Sequence, residues 1–340
     1  MIYFDYDGYQ WNWNINLHED TKISKSVNSI LTQRILQTKK KTQEFLKKIS
    51  CIGNNFPQEI TKLVADKDAV NEALINFFIV PVYSHNPSYR FTHDFVQQAA
   101  YSLIPANDLK AIKLRLGKIL WDNIKSQTCD DHHNTIANLI NSASSIVQDK
   151  EDRTKIAELN LKVGIKAKLS AAFDLARGYF QAGINILDLQ WGANYDITLK
   201  LHNELAEVAY CSKNYSLMKI AIEIVLINAA SNLDRINVFT LQLRKFITDK
   251  AYNEAVQFGF SILEKLGETF PSSITETILI SEVMKVKQVL FGNMGHISSL
   301  PVMNDTVELT VMNVLMNLSH ATFFYNKKYC AIIARKSKFI

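Results

Sequence analysis

Apolar residues recur three and four positions apart over most of this chain, the spacing of helices with one buried face. The first such run, Val27–Leu36, puts Val27, Ile30, Leu31 and Ile35 on one side. Lys40–Cys51 repeats the pattern with Phe45, Leu46 and Ile49, and Gly53-Asn54-Asn55 stops it. Pro57–Val64 is a shorter helix with Pro57 suited to its first position, and Asp68–Phe77 opens on an aspartate able to cap it. The period then changes. Phe78–Tyr83 and Tyr89–Thr92 are β-type runs on either side of the turn residues Ser84-His85-Asn86-Pro87-Ser88. Three short helices followed by a hairpin is the order of a winged helix. At His93 the helical spacing returns without an intervening turn, with Phe95, Ala99 and Leu103 on one face. At the other end, Ile2–Phe4 and Tyr9–Trp13 flank Asp5-Tyr6-Asp7-Gly8 and predict a small hairpin, too little to be stable alone.

From residue 106 onward the pattern predicts helix throughout. Asp108–Ile124 and the weaker His132–Val147 connect the first part to a region with a loose repeat. Phe173-Asp174-Leu175-Ala176, Tyr215-Ser216-Leu217-Met218 and Tyr252-Asn253-Glu254-Ala255 each open a helix after a polar turn. Six positions before each aromatic stands Ala167, Ala209 or Phe246, and six after it stands Tyr179, Ala221 or Phe258. The offsets, about 42 and about 37 residues, are close to the period of tetratricopeptide-type helix pairs, although the full consensus is missing. Generic helical hairpins would give similar spacing. Gly267–Thr275 is rich in breakers, Glu276–Leu290 and Thr306–Phe324 are further helices, and the sequence closes on Arg335-Lys336-Ser337-Lys338-Phe339-Ile340. An apolar helix followed by a basic tail does not look like the polar cap of a helical array.

Composition supports this picture. Hydrophobic residues make up 47% of 340 and charged residues 21%, the balance of a folded chain, and only 11 Gly and 6 Pro leave few breakers. The formal charge of +5 is mild, and Lys39-Lys40-Lys41 with Lys47-Lys48 reads as the solvated face of an amphipathic helix rather than a nucleic-acid patch. Cys51, Cys129, Cys211 and Cys330 form no CxxC pair, which fits a reducing compartment without a zinc framework. The first residues are too acidic for a signal peptide, and no stretch approaches the roughly 20 apolar residues of a membrane helix. The expectation is a cytoplasmic protein with no membrane contact.

Catalytic motifs are missing. The chain has no GxxxxGK[ST] loop, no GxGxxG after a strand, no HExxH, no GxSxG elbow and no kinase HRD or DFG set. His132-His133 follows Asp130-Asp131, but adjacent helical residues point apart and would not converge on a metal. That leaves His93-Asp94. Asp94 can offer an acceptor to the first N–H groups of the helix and suits its positive end. His93 reads either as a packed histidine at a helix start or as a ligand-contacting group.

Several segments, in order, resemble the large bacterial signalling ATPases that join an AAA-type or STAND nucleotide-binding module to a histidine-kinase or Ser/Thr-kinase output. They include Phe4-Asp5 with Trp11-Asn12-Trp13, Thr42-Gln43-Glu44-Phe45-Leu46-Lys47, Cys51-Ile52-Gly53-Asn54-Asn55-Phe56, Ala157–Gly164 and Leu300-Pro301-Val302-Met303. The most specific is Phe91–Pro105, whose Thr92-His93-Asp94-Phe95-Val96 is similar to the MHD-type motif of STAND switches, with Thr92 in place of methionine. The resemblance implies that His93 and Asp94 sense a nucleotide, the histidine contacting ADP phosphates in the closed state. It also implies a P-loop domain and lid before this region, and GAF and kinase or cyclase domains after it. ATP or ADP would then sit on another domain, with no cofactor on this chain.

The expected organisation is a mainly α chain. Residues 1–37 would be a hairpin and helix left from an NTPase lid, 38–105 a winged helix, and 106–149 connecting helices. Residues 150–340 would be a tetratricopeptide-like α-superhelix, cut short at its C-terminus. The expected work is regulatory: protein partners bind the helical repeat, and NTPase and kinase modules in cis or trans receive the signal. The chain itself would carry no enzyme activity. One alternative is a free-standing protein-binding scaffold. The other is a DNA-binding winged helix, for which Gln58, Lys62, Lys67 and Arg90 offer few basic groups.

Overall fold

The computed structural model describes residues 2–5, 10–13, 17–83, 87–123, 132–188, 191–270, 275–293, 304–330 and 332–333, with side chains from residue 27 onward except 286 and 289–293. The chain is mainly helical and falls into two compact units, Met1–Leu159 and Asn160–Ile340.

In the first unit, β1 (Ile2–Asp5) and β2 (Gln10–Trp13) pair antiparallel, Ile2 opposite Trp13. Helix α1 (Leu17–Leu36) starts ten residues earlier than its apolar spacing indicates, because the segment before Val27 is polar and carries no stripe. Helix α2 (Lys40–Ser50) buries Thr42, Phe45, Leu46 and Ile49, as the pattern requires. The chain does not go straight on to a helix. Asn55–Pro57 forms a short strand, β3, which places Pro57 in extended backbone before α3 (Gln58–Val64) rather than inside it. Next come α4 (Lys67–Ile75), β4 (Ile79–Val82), β5 (Ser88–Phe91) and α5 (Asp94–Ser102). The cap of α4 is Asp66, which accepts from the Ala69 N–H at 2.9 Å; Asp68 lies inside the helix.

The three strands form one antiparallel sheet in the order β3-β5-β4. Phe56 faces Tyr89, and its ring meets Phe91 edge-on at 5.7 Å. Phe45, Phe56, Phe78 and Phe91 are fully buried together with Ile35, Leu46 and Ile49. Each such ring contributes on the order of 2–3 kcal/mol by burial. Helix α2 packs against α1, α3, α4, α5 and α6 (Ala106–Asn123), so the core centres on it. Helix α7 (His133–Asn141) ends before residue 142, and a single 3-10 turn, Ser144–Ile146, completes the stretch read as one longer helix. Helix α8 (Lys150–Leu169) contains the division between the units.

The second unit holds α9 (Phe173–Leu187), α10 (Tyr195–Cys211), α11 (Tyr215–Asn228), α12 (Asn232–Thr248), α13 (Tyr252–Lys265), α14 (Glu276–Asn293) and α15 (Thr306–Tyr325); α9 to α13 pack as successive hairpins, and α15 packs on α12 and α13. Helices α9, α11 and α13 begin at Phe173, Tyr215 and Tyr252, the three aromatics of the sequence repeat. The turns before them are alike. Ala171, Lys213 and Lys250 adopt left-handed φ values of 57°, 59° and 60°. The following N–H groups, of Ala172, Asn214 and Ala251, donate to the carbonyls of Ala167, Ala209 and Phe246. That six-to-one bond with a left-handed residue before its donor is the Schellman closure of a helix. It fixes why position minus six recurs. Small residues then let the helices approach: a Cβ on Gly164 would stand 2.4 Å from the Phe180 ring, and one on Gly259 2.3 Å from Leu318. Through Gly259, α15 seats Val314, Leu315 and Leu318 in the core shared with α12 and α13.

Candidate functional site

His93 stands at the joint between β5 and α5. Its backbone is extended (φ −151°, ψ 150°) while its carbonyl already accepts from the Val96 N–H at 2.9 Å, the geometry of an N-cap. The cap itself is the imidazole: Nδ1 accepts from the Phe95 N–H at 3.4 Å, and the ring lies parallel on the Phe95 ring at 5.1 Å. With Nδ1 as acceptor, the neutral ring carries its proton on Nε2. His93 is exposed, so it is not a packed core histidine. Asp94 is not the cap. Its Oδ1 accepts from Asn54 Nδ2 at 2.7 Å, tying the start of α5 to the loop that enters β3. Thr92 completes the joint by donating from Oγ1 to the Phe77 carbonyl at 2.5 Å, and Phe77 holds a left-handed φ of 55° with its ring 72% exposed. The structure therefore brings His93 and Asp94 to one exposed corner and adds Asn54, which composition and spacing did not single out.

Other sequence candidates stay apart. His132 and His133 straddle the start of α7, and Asp130-Asp131 lie outside the described residues. Among the described residues no group of three or more His, Cys, Asp or Glu could hold a metal ion. Cys51, Cys211 and Cys330 are free thiols, and burial pushes Cys51 above its ordinary pKa; Cys129 lies outside the described residues. Lys62, Lys67 and Arg90 are exposed. Among the described residues no helix is long and apolar enough to cross a membrane.

The second unit holds polar chemistry that the sequence reading missed. A cavity of about 200 Å³ lies between α10 and α12, with Asn203, Glu204, Glu207, Asn237, Thr240 and Arg244 on its wall and Asn313 of α15 at its edge. Lys168 reaches Glu204 at 2.5 Å and Glu207 at 2.7 Å. Burial would lower the Lys168 pKa, but its bonds to the two carboxylates outweigh that and hold it above the ordinary value. The spacing of α10 and α12 is locked at one end. Tyr195 donates to Asp234 Oδ2 at 2.8 Å and accepts from the Ala230 N–H at 2.7 Å, beside a capping box between Ser231 and Asp234. A signal was available: Asn237, Thr240 and Arg244 are three and four apart, one polar face of a helix otherwise marked by its apolar residues. A further cavity, of about 400 Å³, is lined by Phe260, Phe270 and Tyr329 with Glu264 and Glu268.

No protein-family model matches the chain, and no solved structure matches it. A curated protein does: the chain is similar, at 22% identity over 365 residues, to hybrid signal transduction histidine kinase G of Dictyostelium discoideum. The match takes in 86% of this chain but 10% of that protein, so the chain spans about a tenth of the relative's length. The likeness relates the chain to signalling proteins.

Proposed function

We propose that this chain is a regulatory and partner-binding segment of a signal-transduction protein. In this reading the helical hairpins of residues 150–340, a tetratricopeptide-like repeat, take a protein partner. Residues 38–105 are a winged helix whose docking on a nucleotide-binding module reports that event. The observation that carries it is the similarity, over 86% of the chain, to a hybrid signal transduction histidine kinase. The helix–strand–helix–helix–strand–strand order of residues 40–91 supports the winged helix. The three like turns at Ala171, Lys213 and Lys250 support the repeat. His93 suits a phosphate: it is exposed, carries its proton on Nε2, and stands at a helix start where the dipole favours an anion. ATP or ADP belongs on the other module, and this chain binds without making or breaking bonds.

The test combines the chain with a P-loop NTPase module of the resembled signalling ATPases, loaded with a fluorescent ADP analogue. The chain should slow ADP release, and His93→Asn should restore the rate of the module alone. Asparagine keeps an N-cap acceptor, so this variant removes the imidazole without removing the cap. Unchanged release in His93→Asn ends the sensor role. ATP hydrolysis by the isolated chain ends the non-catalytic reading.

A free-standing scaffold is a second reading, favoured by one observation: the polar cavity and the three like turns all lie within the second unit. It predicts that partner binding leaves nucleotide release unchanged.

A further inference from the structure

We propose that the aromatic cavity beside α13 is a binding site for a small organic cation carrying an alkylated ammonium group. Its walls come from three stretches of the second unit. Phe260 and Glu264 stand about one turn apart on one face of α13. At Gly267 the Glu268 N–H donates to the Leu263 carbonyl at 2.9 Å, and this closure carries Glu268 and Phe270 to the same cavity. Beyond α15 a tight turn, in which the Tyr329 N–H donates to the Asn326 carbonyl at 3.0 Å, delivers Tyr329.

The rings form one continuous wall. Phe260 lies nearly parallel to Phe270 at 4.7 Å and tilts 47° to Tyr329 at 5.3 Å, and Tyr325 backs Tyr329 at 6.3 Å. Phe260 and Phe270 close the core on one side, and with Tyr329 they are half-buried and front the cavity. The faces of such rings are electronegative and attract cations. The two carboxylates add to that potential, and among the described residues no Lys or Arg lines the cavity. Two lysines close by in sequence are engaged on other rings: Lys265 lies 4.7 Å from the Phe239 centroid, and Lys327 lies 5.4 Å from that of Phe323. Aromatic and anionic walls without a cation of their own are complementary to a positive ligand.

Size and hydration choose its class. At about 400 Å³ the cavity falls within the roughly 300–1,000 Å³ of small-molecule pockets. A metal ion needs several oxygen or nitrogen ligands, and among the described residues no group of three or more His, Cys, Asp or Glu could hold one. An alkylated ammonium buries its methyl groups on the rings while its charge stays near the carboxylates. Such a ligand joins the chain after α13 to the turn after α15. The site thereby gives the second unit a small-molecule input, separate from the protein partner proposed above.

The test is isothermal titration calorimetry of the full chain with choline and tetramethylammonium, and with 3,3-dimethylbutan-1-ol as the uncharged counterpart of choline. Choline should bind with a Kd of about 1 mM or tighter, and the alcohol at least about tenfold more weakly. Tyr329→Leu should weaken choline about tenfold, while Tyr329→Phe, which keeps the ring, should bind as the unaltered chain does. Glu264 is exposed, so Glu264→Gln should keep the fold and weaken choline about two- to fivefold. Glu254→Gln, also on α13 but off the cavity wall, should change nothing. Binding of neither cation, equal binding of choline and the alcohol, or unchanged binding in Tyr329→Leu overturns the proposal. The titration needs neither nucleotide nor protein partner, so its failure is distinct from failure of the His93 switch.

Discussion

The three Schellman turns of the second unit predict an unusual response to glycine. Ala171, Lys213 and Lys250 hold φ values near +60°, where an L-residue pays about 1–2 kcal/mol that glycine does not. Glycine loses about 0.5–1 kcal/mol of that advantage through the extra freedom of its unfolded chain. All three side chains are exposed, so no packing is lost. Ala171→Gly, Lys213→Gly and Lys250→Gly should therefore each stabilise by about 0.5–1 kcal/mol, which raises the thermal midpoint of a unit of this size by about 1–4 °C. Separate turns should add, so the triple variant should gain about 1.5–3 kcal/mol. Gly267 supplies the control. Its φ is +93°, and the next N–H, of Glu268, donates to the Leu263 carbonyl in the same six-to-one closure. Gly267→Ala should cost about 1–3 kcal/mol. Thermal and urea unfolding followed by far-ultraviolet circular dichroism reads all four. Destabilisation by the three glycines, or a neutral Gly267→Ala, would refute the left-handed closure and with it the structural argument for a repeat.

Two helical glycines should part company. Gly178→Ala meets nothing within 4 Å and should gain about 0.8–1 kcal/mol of helix propensity, whereas Gly164→Ala drives a Cβ into the buried Phe180 ring. Their unfolding free energies should differ by about 1–3 kcal/mol, the cost of overpacking, and equal values would mean that α8 and α9 do not meet there. His202 is buried with Nδ1 bonded to the Thr198 carbonyl at 2.9 Å and its ring stacked on Trp191. Burial lowers its pKa, the Thr198 bond opposing, so the unfolded chain binds the proton more readily. Stability should be full above the unfolded value of about 6.5 and fall as pH drops below it. His202→Asn, which can keep the bond to Thr198, should flatten that acid limb in urea titrations; an unchanged limb assigns it to other groups. Lys168→Met should leave Glu204 and Glu207 facing each other and cost about 1–3 kcal/mol, less than for a fully buried pair because Glu207 is 41% exposed. Adding Glu204→Gln should recover part of the loss in a double-mutant cycle.

Helix type and order were readable because the apolar stripes are strong, as in α2 with Phe45, Leu46 and Ile49 all buried. The misses have physical causes. Strand β3 is three residues long and has meaning only against β5, a pairing between Asn55 and Arg90 that no local pattern encodes. The first part of α1 has no apolar stripe to announce it. Caps were misassigned by one or two residues where acidic groups cluster. Asp66 and Asp68 are equally good N-caps by type, and only the position of the first helical turn chooses Asp66. The N-cap of α5 went to His93 because an imidazole Nδ1 can accept, which left Asp94 for Asn54.

Sites were harder to read than elements, and the two candidates show why. His93-Asp94 drew attention through contiguous sequence, and both side chains are exposed. The cavity in the second unit is assembled from Asn203, Asn237, Arg244 and Asn313, more than a hundred residues from first to last, and none belongs to a motif. Asn237, Arg244 and Asn313 are ordinary polar residues on exposed faces of their helices, and Asn203 is half-buried. What brings them together is the packing that the repeat turns enforce: a left-handed residue closes one helix, an aromatic opens the next, and successive first helices such as α10 and α12 come to lie side by side. Polar residues at matching heights on α10 and α12 then converge. In a hairpin stack the turns therefore set which polar groups of neighbouring helices face one another.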